Sequence, residues 1–158
     1  MLSEATATSR PPALAGALRV KITGGLEEVR RVNDSIARFL WERQVAPDRL
    51  HDVQLVVEEL VTNVLRHGGT TGRRPTIAVE VEILDEGLRL VVEDDGRFFD
   101  PTALPETPLP AHLEDRRPGG LGLRIVRRLV TRLAYRRLLA GNRVEALIPL
   151  ASPPDIAE

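Results

Sequence analysis

The chain has 158 residues, 42% of them apolar and 28% charged, enough for one domain with a proper core and too few for two comfortable ones. A formal net charge of −1 and only one Trp, one Tyr and three Phe supply neither a global basic field nor stacking platforms, so no direct nucleic-acid partner is expected. The lack of cysteine excludes disulfides and thiolate metal sites; with no apolar run near the roughly 20 residues of a membrane span and no secretory signal in MLSEATATSRPP, no membrane association and a cytoplasmic location are expected.

Residues 1–16, rich in Ala, Thr, Ser and Pro, read as a flexible arm. ALRVKIT (17–23) alternates Leu18, Val20 and Ile22 with polar neighbours, the pattern of a strand. After Gly24 and Gly25, Leu26, Val29, Val32, Ile36, Phe39 and Leu40 recur every three or four residues and predict a helix to about Gln44. Pro47 stops it, and Asp48 opens a second helix over about 48–67, with Leu50, Val53, Val57, Leu60 and Val64 on one stripe and Gly68 and Gly69 at its end.

PTIAVEVEIL (75–84) and LRLVVED (88–94) predict two strands joined by a hairpin at Asp85, Glu86 and Gly87. Pro101, Pro105, Pro108, Pro110 and Pro118 then punctuate a connection without apolar periodicity, and loops of that length in compact domains usually serve a function. A third helix should start at the glycines of 119–122 and carry Leu123, Val126, Leu129, Val130 and Leu133. AYRRLLA (134–140), a turn at Gly141-Asn142 and RVEALIPL (143–150) predict a last hairpin, and 151–158 a flexible tail. The folded domain therefore spans 17–150. Its element order implies an α+β fold, a two-layer sandwich with a mixed, mostly antiparallel sheet and helices on one face.

Three stretches carry candidate chemistry. In VEELVTNVLRHGG (57–69), Glu59, Asn63 and His67 stand four residues apart on one helix face; a carboxylate there can take a proton and an amide oxygen suits Mg²⁺, although from this helix alone a solvated face ending in a dipole-favoured histidine is the more ordinary reading. In VEDDGRFFDP (92–101), Asp94 comes where a strand runs out and Gly96 follows; such a carboxylate can accept the exocyclic amine of adenine, or belong to an ordinary Asp-Gly turn. In GGLGLRIV (119–126), glycines open a helix and leave unpaired N–H groups that suit an anion, or merely satisfy a loop needing positive φ. No Gly-Lys-Ser/Thr follows, so this is not a P-loop.

In their order and spacing these stretches resemble the N, G1 and G2 boxes of the histidine-kinase-like (Bergerat-fold) ATPases, and the short chain is most similar to stand-alone anti-sigma factors with serine-kinase activity, of the RsbW and SpoIIAB type. The resemblance covers about 17–150. It implies Glu59 as general base, Asn63 as the Mg²⁺ ligand, Arg66 and His67 bordering the phosphates, Asp94 as the adenine-binding aspartate with Gly96 beside it, and Gly119, Gly120, Leu121, Gly122 and Leu123 as the glycine box. Residues 101–118 match the ATP lid, whose end carries Arg116 and Arg117, either γ-phosphate contacts or a solvated pair.

The resemblance implies ATP and Mg²⁺ as cofactors, a sigma factor and an anti-sigma-factor antagonist as partners, a homodimer, and a serine/threonine kinase acting on the antagonist. The competing reading is an ATP-binding switch that grips a partner and transfers nothing. His51, twelve residues before Asn63 on the same helix, cannot reach its own γ-phosphate, which disfavours a sensor-kinase fragment. From Arg116 to Arg137 the C-terminal third carries a local arginine excess against the near-neutral whole.

Overall fold

The computed structural model describes residues 16–103 and 120–150; the arm over 1–15, the tail over 151–158 and most of the expected lid, with Arg116, Arg117 and Gly119, lie outside the described residues. The elements run β1 (Ala17–Ile22), α1 (Leu26–Trp41), α2 (Pro47–His67), β2 (Ile77–Leu84), β3 (Gly87–Asp94), a 3-10 turn (Pro101–Ala103), α3 (Gly120–Leu129), β4 (Arg132–Leu138) and β5 (Gly141–Ile148). The strands form one sheet in the order β1-β2-β3-β5-β4 with every pair antiparallel. The mixed sheet that the sequence left open is therefore purely antiparallel.

Period-two alternation decides which face meets the helices. In β2, Ile77, Val79, Val81 and Ile83 are buried and alternate with half-exposed Ala78, Glu80, Glu82 and Leu84. The register aligns Ile83, Val81 and Val79 with Leu88, Leu90 and Val92 of β3, and these with Ile148, Ala146 and Val144 of β5, while Ile77 stands opposite Asp94. Val29, Val32, Ile36, Phe39 and Leu40 of α1 and Val53, Val56, Val57, Leu60 and Val61 of α2 complete the same core. On the other face, Arg19, Glu80, Glu82, Arg89, Glu93, Arg143, Glu145 and Arg132 form a grid of ion pairs.

Local chemistry sets the helix ends. Gly25 is extended at the start of α1, where Glu27 Oε1 accepts its N–H and Glu28 Oε2 accepts that of Thr23, both at 3.0 Å. The helix stops at Trp41, short of the expected Gln44, because Gln44 takes a left-handed φ of 57° and turns the chain into α2. Pro47 opens α2, where its missing N–H costs nothing. Gly68 closes it with its N–H 2.7 Å from Val64 O; a Cβ at Gly68 would also stand 2.7 Å from that oxygen.

Two sequence expectations are displaced near the end of the chain. The third helix ends at Leu129, so Val130 follows it and Leu133 belongs to β4. The last hairpin turns at Leu139 and Ala140, two residues earlier than the Gly-Asn signal suggested, and Leu139 is fully exposed at the tip. Gly141 and Asn142 open β5 instead, because Gly141, at φ 121°, lies directly against the backbone carbonyl of Asp94, where no side chain fits.

Candidate functional site

Three backbone contacts gather the site at one end of the inner sheet face. The C-terminus of α2 meets the end of β3 where Arg97 N donates to Gly68 O at 2.9 Å, and a Cβ on Gly96 would stand 2.5 Å from that same oxygen. Gly141 brings β5 against Asp94. At the start of α3, Gly122 lies against the Glu59 carboxylate so closely that a Cβ would overlap it. Glycine is thus required at 96 and 141, where a Cβ would meet backbone, whereas at 122 it would meet the movable end of the Glu59 side chain.

The adjacent aspartates are sorted by their partners. Asp95 is exposed, paired with Arg73 at 2.5 Å, and accepts the N–H of Thr76 at 2.7 Å, which ties the 70–76 segment to the strand end. Asp94 faces inward and is only 6% exposed. Its Oδ1 accepts Gly96 N at 2.8 Å and Asn142 Nδ2 at 2.9 Å, while no donor among the described residues reaches Oδ2. Burial pushes the Asp94 carboxyl above its usual range, against the lowering effect of Asn142 and Gly96.

Asn142 is the functional residue that sequence reasoning missed. It stands directly across the ladder from Asp94. Its Nδ2 also donates to Arg97 O at 2.8 Å, and its Oδ1 accepts Phe99 N at 3.0 Å and the Tyr135 hydroxyl at 2.8 Å. One amide therefore fixes the carboxylate, the turn after it and a β4 side chain. The available signal was the Gly141-Asn142 pair, which reads as a hairpin turn unless the tip is known to lie earlier.

Asp94 and Asn142 line a cavity with Leu60, Asn63, Val64 and Phe99, and only about 10 Å³ of it is open, scarcely one water. Small-molecule sites usually offer roughly 300–1,000 Å³, so the cavity as it stands is too small for such a ligand. Phe99 stacks on His67 with ring centroids 4.6 Å apart. His67 therefore stands against a ring that lines the cavity, and the exposed Arg66 sits beside it at the end of α2.

Asn63 is 4% exposed and its Nδ2 is buried without a partner. Such an orphan costs about 1–3 kcal/mol, and rotating the amide exchanges its nitrogen and oxygen. The residue thus fits a neutral oxygen donor. Among the described residues no group of three or more His, Asp or Glu could hold a metal alone; a divalent ion here would depend on the amide, waters and phosphate oxygens, as Mg²⁺ does. Glu59, one turn before Asn63, is half-buried, and burial followed by the neighbouring Glu58 raises its pKa. Gly120 and Leu121 open α3, and Leu123 is buried at 3% exposure. Gly119 lies outside the described residues.

The antiparallel sheet, the helical layer and this glycine-lined strand end define a histidine kinase-like ATPase domain; the model of that family matches residues 22–148, and the chain belongs to it. Among curated proteins it is similar to the serine/threonine-protein kinase BtrW of Bordetella bronchiseptica, at 32% identity over 57% of this chain and 63% of BtrW. It is also similar to the anti-sigma F factor of Clostridium novyi, at 26% identity over 58% of this chain and 64% of that protein. The chain thus spans less than two thirds of the length of these relatives. The catalytic domain of histidine kinase ThkA aligns over 84% of this chain and 95% of its own length at 16% identity, with a TM-score of 0.47. No helix among the described residues is long and apolar enough to cross a membrane.

Proposed function

We propose that the chain is an anti-sigma regulatory kinase: it binds ATP with Mg²⁺ at the Asp94 cavity and transfers the γ-phosphoryl group to a serine or threonine of an antagonist protein, while its other partner is a sigma factor. The observation that carries this reading is the convergence of three complementary groups along α2 and the end of β3: a carboxylate with one oxygen left over, a buried amide without a partner, and a second carboxylate raised in pKa beside a glycine helix start. The likeness to BtrW and to the anti-sigma F factor supports the choice of reaction and partners.

When bound, the magnesium nucleotide supplies the transferable phosphoryl group and the neutralisation of its developing charge. Asp94 Oδ2 accepts the exocyclic amine of adenine and rejects guanine, whose carbonyl at that position meets a second acceptor. Asn63 offers its amide oxygen to the ion. Glu59 takes the proton from the attacking hydroxyl, and its raised pKa makes it a better base than an ordinary surface carboxylate. Gly120 and Gly122, at the start of α3, keep side chains away from the phosphate path. His67 and Arg66 sit at the rim, where His67 stacks on Phe99.

The test separates binding from transfer. Calorimetry with ATP, with and without Mg²⁺, should show binding by the wild type, binding about 100-fold weaker by Asp94→Asn, and binding without Mg²⁺ dependence by Asn63→Ala. Glu59→Gln should bind ATP normally and lose transfer of labelled phosphate to an antagonist protein by roughly 10²–10⁴-fold. Normal transfer by Glu59→Gln would remove its role as base. ATP binding with no transfer by the wild type to any antagonist tested would leave an ATP-dependent switch.

A further inference from the structure

We infer that the outer edge of β4 is a docking surface for an acidic, extended segment of a partner protein, which adds to the sheet as a further strand. β4 carries Arg132, Arg136 and Arg137 and no aspartate or glutamate, and none of the three lines the Asp94 cavity. β4 is an end strand of the sheet, and no described segment pairs with its outer side. An unpaired edge is a row of unfilled backbone donors and acceptors, which folded proteins usually blunt with bulges, prolines or charge. β4 has no proline, and its register with β5 is unbroken over seven residues. Charge is the only device left, and it is all of one sign.

The opposite edge shows the contrast. Arg19 of β1 is matched by Glu80 and Glu93 at 3.0 Å each. On β4, Arg132 pairs with Glu145 at 2.9 Å, but Arg136 has no carboxylate partner among the described residues and stands directly opposite Arg143. Arg143 is already matched by Glu93 at 2.6 Å and Glu145 at 3.4 Å, so Arg136 is the unmatched cation of that cross-strand pair. Arg137, on the other face, lies 3.3 Å from the Phe98 ring centroid rather than against a carboxylate.

Carboxylates at alternate positions of an added strand would stand beside Arg132 and Arg136, while its backbone fills the ladder. The open ladder favours a peptide over a nucleic acid. So does the lack of a ring on the outer face of β4 among the described residues, because Tyr135 is held through its hydroxyl by Asn142 on the inner side and Phe98 is covered by Arg137 on that same side.

The experiment titrates the isotope-labelled full chain, read by amide chemical shifts, with a peptide alternating valine and glutamate. The same peptide N-methylated at every second amide, a valine–lysine peptide and an oligothymidylate are the comparison probes. The acidic peptide should perturb amides 132–138 and bind about tenfold more weakly to Arg136→Glu. That substitution places a carboxylate directly across from Arg143, so its melting temperature should hold or rise, which separates lost docking from lost folding. Shifts confined to other elements, or equal binding of the lysine peptide, would overturn the proposal. Undiminished binding of the N-methylated peptide would refute the added strand, and preference for the oligothymidylate would assign the edge to nucleic acid instead.

Discussion

The outer face of the sheet and the inner end of β3 both hold carboxylates against donors, yet they use charge in opposite ways. Outside, Arg143 reaches Glu93 at 2.6 Å and Glu145 at 3.4 Å, and Arg19 bridges Glu80 and Glu93, with much of the arginine still in water. Inside, Asp94 has no cation among its hydrogen-bond partners; a backbone N–H and one amide hold its Oδ1, and burial raises its pKa. The outer grid is many weak, screened interactions with each charge answered. The inner carboxylate is left half-answered at a cost to the fold, the usual condition of a group kept for a ligand.

The sharpest break in that comparison is Asp94→Asn, which keeps an Oδ1 for Gly96 and Asn142 and replaces only the free oxygen by a donor. ATP affinity should fall by about 100-fold, the equivalent of about 3 kcal/mol for a charged hydrogen bond turned into a donor–donor contact. The free protein should become more stable at neutral pH. The folded pKa of Asp94 is raised, so its burial costs nothing below the ordinary carboxylate range, where it is protonated in both states, and costs most once the pH exceeds the raised value. Urea unfolding of both proteins at acid and neutral pH should show the variant gaining only at the higher pH; an equal difference at both would mean the carboxylate is not penalised.

Next in size is Asn142→Ala, which leaves the Asp94 carboxylate, Arg97 O, Phe99 N and the Tyr135 hydroxyl without this partner. A loss of about 2–3 kcal/mol of stability is expected, with ATP affinity reduced because Oδ1 becomes free to turn. Tyr135→Phe removes only the outermost link and should cost about 1 kcal/mol in urea unfolding with little change in ATP affinity. A larger affinity loss for Tyr135→Phe than for Asn142→Ala would overturn the order of the network.

Most of the fold was legible because its signals are local. Alternation in β2 and β3 and the stripe on α2 survive into the structure within a residue or two. Glu59, Asn63 and Asp94 were legible as a spacing pattern, and the structure brings Asn63 and Asp94 to one cavity and Glu59 against Gly122. Asn142 was not, because its role depends on a register. Turn chemistry favoured Gly141-Asn142 as the tip, whereas the close contact between Gly141 and the Asp94 carbonyl fixes both residues inside the ladder. A shift of two residues keeps the faces of a strand unchanged, so the core remained right while a partner of the key carboxylate was hidden. Likewise the stack of His67 on Phe99 joins residues 32 apart and has no local signature.

The smallest effect tests the outer side of the comparison. Arg19 keeps 53% of its side-chain surface exposed while reaching Glu80 and Glu93, so Arg19→Ala should cost no more than about 0.5–1 kcal/mol and less at high salt. Glu93 is held below the usual carboxylate range first by Arg143 and then, against the opposing effect of burial, by Arg19. A lowered folded pKa means that this contribution is present above the ordinary glutamate range and is lost as the pH falls through the lowered value. The stability of Arg19→Ala relative to wild type should therefore rise toward zero on acidification, whereas that of Asp94→Asn relative to wild type should fall toward zero. If both differences moved the same way with pH, the two faces would not be using charge differently, and the distinction between an answered grid and a carboxylate held open for a ligand would fail.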